Sequence, residues 1–186
     1  MFDTLRNALA ALAGIVCLGG LPLEAKAFDG MWRVGASTGR ACVSELYDAG
    51  CLVTEESGTS VGTYLGYGLS DMFDLNFELQ YSGHQVRETD RYADLGTATV
   101  GVHYKFDVFR WIPYMGLLGG YGQVWGASPI GEMVSGPMGS FVLGVDRCII
   151  PEFSVGLQIR DDVGLAFYSQ YFTTTLRLEY RWGIDE

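Results

Sequence analysis

The groups in this chain able to do chemistry are few: two histidines, four cysteines and a scatter of charged side chains. His84 follows Ser82 by two residues and has Glu88 close behind it, and a nucleophile, a base and an acid are the parts of a hydrolase. No G-x-S-x-G elbow accompanies them, so His84, at the start of a loop, reads as a solvated histidine and no catalytic residue is expected. Cys42 and Cys51 bracket "VSELYDAG". In an oxidising compartment they would close a small disulfide loop worth about 2–4 kcal/mol, chiefly by restricting the unfolded chain. Two free thiols are the alternative. No histidine lies beside them and no second cysteine pair follows, so no metal is expected there, and no cofactor anywhere in the chain. Cys148 is left over and fits a buried single cysteine, with an intermolecular bond as the alternative. Glu45, Asp48, Glu55 and Glu56 lack the D-x-D-x-D-G spacing of a calcium loop and read as hydrophilic surface. The largest constellation is a set of nine charged residues: Arg33, Asp74, Glu78, Lys105, Asp107, Arg160, Arg177, Glu179 and Arg181. Whether they meet depends on the elements that carry them.

Those elements are strands. Residues 72–82, "MFDLNFELQYS", alternate without error. Phe73, Leu75, Phe77, Leu79 and Tyr81 share one face, and Asp74, Asn76, Glu78, Gln80 and Ser82 the other. The pattern recurs at 61–70, 97–108, 153–160 and 173–182, and in a short first strand, "MWRVGAS". Two further segments are less regular. In 114–125, Met115, Leu117, Tyr121 and Trp125 are expected outward, leaving Leu118 and Val124 inside. In 138–147, Phe141, Leu143 and Val145 are expected outward, leaving Met138 and Val142 inside. Eight strands result, and no segment has a helical apolar period.

Either face of such a strand can be the buried one. In a soluble sandwich the apolar face packs a core; in a membrane barrel it meets lipid and the polar face lines the lumen. From Phe73 to Tyr81 the apolar face runs about 26 Å at ~3.3 Å per residue. Tilted by ~40°, it spans roughly 20 Å, close to the ~25 Å apolar band of outer-membrane barrels. Trp32, Phe73, Tyr81, Phe106, Trp125, Tyr180 and Trp182 recur near the ends of these faces, as an interfacial girdle requires. The polar faces are rich in glycine (Gly62, Gly66, Gly68, Gly101, Gly116, Gly120, Gly122), which weakens a solvent-exposed strand but makes room in a narrow lumen. The apolar face therefore goes to lipid, and the nine charged residues go to the lumen as a network.

Connections alternate in length. Strands 2 and 3 are joined by little more than "SDM", and strands 6 and 7 by "CIIPE"; residues 39–58, 84–94, 127–137 and 163–172 form the longer set. The fourth of these carries Phe167, Tyr168, Tyr171 and Phe172, a candidate interaction patch. At the N-terminus, Arg6, an apolar run from Ala8 to Leu23 and the small-x-small Ala25-Lys26-Ala27 read as a secretory signal peptide, residues 1–27, leaving 28–186 as the barrel. The formal net charge of −10 makes nucleic acid a poor partner, since that binding needs a basic face.

The signal peptide, the eight amphipathic strands and the short-turn, long-loop alternation resemble the small outer-membrane barrels of the OmpA-transmembrane-domain, OmpX and OmpW kind. The resemblance covers residues 31–182 and rests on pattern. Such barrels usually end in an aromatic residue, whereas here Trp182 is followed by "GIDE". What it implies is an all-β fold: an eight-stranded up-and-down antiparallel transmembrane β-barrel in the outer membrane of a Gram-negative cell. Its partners would be outer-membrane lipid and, through the long loops, other envelope proteins. The expected role is non-enzymatic: structural, anchoring or interacting, within an envelope assembly. A narrow or gated channel is the alternative, and a lipid-modifying enzyme the weaker one.

Overall fold

The computed structural model describes residues 29–45, 57–86, 91–106, 111–125, 134–164 and 169–183. They form eight strands: β1 (Trp32–Glu45), β2 (Ser57–Gly68), β3 (Phe73–Val86), β4 (Arg91–Lys105), β5 (Trp111–Trp125), β6 (Val134–Ile150), β7 (Phe153–Gly164) and β8 (Ser169–Trp182). Each pairs antiparallel with the next, and β8 returns to β1, so the sheet is a closed up-and-down barrel. Closure leaves no unpaired edge, which is what permits a sheet to stand in lipid.

The registers fix the shape. From Trp32, the paired residues run through Tyr67, Leu75, Val102, Leu117, Phe141, Asp161 and Phe172, and return to β1 at Cys42. One circuit therefore advances ten residues along the strand, from 32 to 42. With ~3.3 Å per residue and ~4.8 Å between strands, that stagger gives a tilt of about 40° and about 2.5 Å of height per residue.

The alternation read from sequence appears as a wall with two different faces. Phe73, Leu75, Phe77, Leu79 and Tyr81 are all exposed on the outer face, while Asp74, Asn76 and Glu78 are buried inside. At the short-turn end Trp32, Tyr67, Trp182 and Tyr180 pack ring on ring, and Phe73, Tyr104 and Phe106 do the same further round. Inside, glycines sit beside the large inward rings. A Cβ on Gly35 would meet the Tyr64 ring, one on Gly144 the Tyr114 ring, and one on Gly116 the His103 imidazole. The small residue leaves space for the large one on the neighbouring strand, as a narrow barrel requires.

Several boundaries differ from the sequence reading. The strands run further at the long-loop end: β1 reaches Glu45, β3 reaches Val86, β4 begins at Arg91 and β8 at Ser169. Above the lipid band both faces can be polar, so the hydropathy signal stops while the pairing continues. His84 is consequently a buried residue of β3 rather than a solvated loop residue. Tyr171 is buried within β8, while Phe167 and Tyr168 lie outside the described residues. Val145 holds an outward register position between Pro113 and Leu157 yet is only 4% exposed. Trp125 stands four residues beyond Tyr121 on β5, about 10 Å higher, and its ring covers Gly96 on β4.

The charged barrel interior as candidate functional site

Parity on each strand decides what enters the lumen. Arg33 enters from β1, Asp74 and Glu78 from β3, Lys105 from β4, Arg160 from β7, and Arg177, Glu179 and Arg181 from β8; all are buried. Asp107 lies outside the described residues. Two further carboxylates, Asp146 of β6 and Asp162 of β7, are buried with them. Asp146 falls at an inward position of a strand whose mixed apolar pattern obscured it. Asp162 lies just past the last clearly alternating residue of β7.

The lower cluster, toward the short turns, is organised by Glu179. Arg181 Nε donates to its carboxylate at 2.7 Å, the Tyr64 hydroxyl at 3.2 Å, and Arg33 Nη1 and the Ser154 hydroxyl each at 3.4 Å. Arg177 stands 3.8 Å away. Arg33 also reaches Asp74 at 2.5 Å, and Lys105 reaches the same carboxylate oxygen at 2.6 Å. The Arg177 guanidinium lies over the faces of Tyr64 and Tyr114, 3.9 and 4.9 Å from their ring centroids, and donates to the Tyr114 hydroxyl. Beneath this cluster Met31 and Ile112, with Cys148 against them, form an apolar floor.

The upper cluster is centred on Arg160. Its Nη1 donates to Glu78 and its Nε to Asp162, both at 2.7 Å, and its Nη2 donates to Ser140 and Thr99. Ser140 in turn donates to Asp162. His103 stacks on Tyr114 and brings its Nε2 to 3.7 Å from Glu78, linking the two levels. Above them Ser82 and His84 share a 3.0 Å hydrogen bond, beside an apolar group of Leu95, Val124 and Tyr171.

Among the described residues the buried cations are Arg33, Lys105, Arg160, Arg177 and Arg181, and the buried carboxylates Asp74, Glu78, Asp146, Asp162 and Glu179. Five positive charges meet five negative ones, so the described interior is formally neutral and the other residues of the chain carry its −10. That balance is what buried charge requires, because an ion without a partner in a low-dielectric interior costs several kcal/mol. Four side chains bond to each hub, and each hub ties four strands together. Such an arrangement holds strands together.

Of the other residues singled out from sequence, Cys42 lies at the loop end of β1 and Cys51 outside the described residues. Cys148 carries a free thiol at the floor, and Arg181 Nη1 approaches its Sγ at 3.1 Å. Among the described residues no group of three or more His, Cys, Asp and Glu side chains is arranged to hold a metal.

No protein-family model matches the chain, and no curated protein matches it in sequence. Solved structures do match in fold. Neisserial surface protein A aligns with a TM-score of 0.64 at 15% identity, over 83% of this chain and 100% of that one. Ail, the attachment invasion locus protein of Yersinia pestis, aligns with a TM-score of 0.58 at 16% identity, over 83% and 99%. The N-terminal β-barrel domain of Pseudomonas aeruginosa OprF aligns with a TM-score of 0.57 at 14% identity, over 83% and 98%. With its closed ring of eight antiparallel strands, its outward apolar face and its charged interior, the chain has the fold of the small outer-membrane β-barrels.

Proposed function

We propose that the protein is a non-enzymatic outer-membrane barrel with a closed structural interior. It anchors or joins an envelope assembly through the surface at its long-loop end. The observation that carries this reading is the charge-balanced interior, in which ten ionisable side chains from six strands are buried and most are joined in two ion-pair clusters. An eight-stranded barrel is just filled by its own side chains, and here Tyr114, Leu118 and Val142 add a buried apolar cluster to the charged ones. The last two are the inward apolar residues that a route for small hydrophobic molecules would have used.

Reconstituted into planar bilayers at neutral pH, the protein is expected to give no steady single-channel openings. Steady openings of uniform size would overturn the closed interior and favour the channel. We also propose that residues 1–27 are removed on export and that Cys42 pairs with Cys51. Intact mass of the unreduced protein from outer membranes is expected to match residues 28–186 less two hydrogens. A mass retaining residues 1–27, or one unchanged by reduction, would sink the corresponding half of that expectation.

A further inference from the structure

The lipid-facing band is uneven around the barrel. On β3 to β5 the outer face stays apolar from Phe73 and Phe106 up to Tyr81 and Tyr121, a height of about 20–23 Å by the registers above. On β1 and β7 it is interrupted by a charge, at Arg40 and Asp161, while Val61 of β2 and Phe172 of β8 continue it above three threonines. Thr63, Thr38 and Thr174 face outward and exposed at roughly two-thirds of that height, with Arg40 and Asp161 just above them. At the foot of the same strands stands the ring cluster of Trp32, Tyr67, Tyr180 and Trp182. One side of the wall therefore has an aromatic base and, near its top, two opposite charges on either side of Phe172 and Thr174.

The two charges are placed symmetrically. Arg40 of β1 pairs with Thr174 of β8, and Asp161 of β7 pairs with Phe172 of β8, so they flank β8 on its two sides. They are about 10 Å apart around the wall and within about 2 Å of the same height. Arg40 has no ionic partner among the described residues, and Asp161 accepts two hydrogen bonds from the Gln170 amide. Two copies in one membrane share the same up-direction, so a two-fold axis between them must run along the membrane normal. That operation exchanges left and right but preserves height. A second copy docked on β8 would bring its Asp161 opposite Arg40 and its Arg40 opposite Asp161.

We infer that the β7–β8–β1–β2 face is a homodimer interface, with β8 at the two-fold axis and two reciprocal Arg40–Asp161 ion pairs. The inference goes beyond the proposed function and rests only on its outer-membrane placement.

The test is disulfide trapping in isolated outer membranes, in a Cys148→Ser background. Thr174→Cys, on the axis, is expected to give a covalent dimer under mild oxidation, at least five-fold above Val100→Cys on the opposite wall. Arg40→Asp or Asp161→Arg alone is expected to lower the trapped fraction several-fold, and the double exchange to restore it. Equal trapping at 174 and 100, or an exchange that fails to restore it, would overturn the dimer. A Thr174→Cys product containing a different protein or unlinked monomer alone would do the same. The shift in gel mobility between heated and unheated samples reports barrel folding for each variant. Recovery in the outer-membrane fraction tests the placement separately.

Discussion

Glu179→Ala is expected to lower the free energy of unfolding by about 3–5 kcal/mol, the cost of breaking a buried pair by removing one partner. Glu179 accepts from Arg181, Tyr64, Arg33 and Ser154 and lies 3.8 Å from Arg177. Its loss leaves five cations facing four carboxylates in an interior with almost no access to water. Glu179→Gln keeps the shape and one acceptor but not the charge, and should fall between, at about 1–3 kcal/mol. Urea titration of the refolded barrel in lipid vesicles, read by unheated gel mobility, measures both. A Glu179→Ala variant within 1 kcal/mol of the parent would show that the lower cluster contributes little. The comparison with glutamine separates lost charge from lost packing.

The second large effect concerns Arg160. Arg160→Met should cost about as much, because it strands Glu78 and Asp162 together without their common partner. A buried ion triad can, however, be replaced whole at little cost, since the desolvation of three ions is relieved along with their attraction. The triple variant Glu78→Gln, Arg160→Met, Asp162→Asn is therefore expected to regain at least half of the stability lost by the single one. If the triple variant is no more stable than Arg160→Met, the loss came from packing around the guanidinium stem rather than from stranded charge. The triple variant also bears on the closed interior, as relieving the charge without opening the wall should leave the barrel non-conducting.

The fold was legible because alternation is a local property. Successive side chains of a strand point to opposite faces whatever the strand pairs with. "MFDLNFELQYS" therefore announced a two-faced strand, and its glycine-rich siblings indicated which face was crowded. Legibility failed where the environment became uniform. Beyond Tyr81 both faces of β3 leave the lipid band, so nothing in the residue types distinguished Gly83–Val86 from a loop, and His84 was misplaced. In β6 the inward face carries Met138 and Val142 among the polar residues, so Asp146 was passed over. Asp162 was lost to an early end for β7.

By itself, then, the sequence determined that the chain makes eight two-faced strands, which face of each is apolar, and that the polar face carries nearly equal numbers of acids and bases. Only the tertiary structure decided who meets whom. Arg33 reaches Asp74 across the intervening β2, and Arg160 reaches Glu78 across the lumen from β7 to β3. Neither contact is encoded in local spacing. Both follow from closure with a ten-residue stagger, which sets the height at which each inward side chain enters. The physical reason is one of range: the pleat fixes direction residue by residue, whereas the partner of a buried charge depends on a register accumulated over all eight strands.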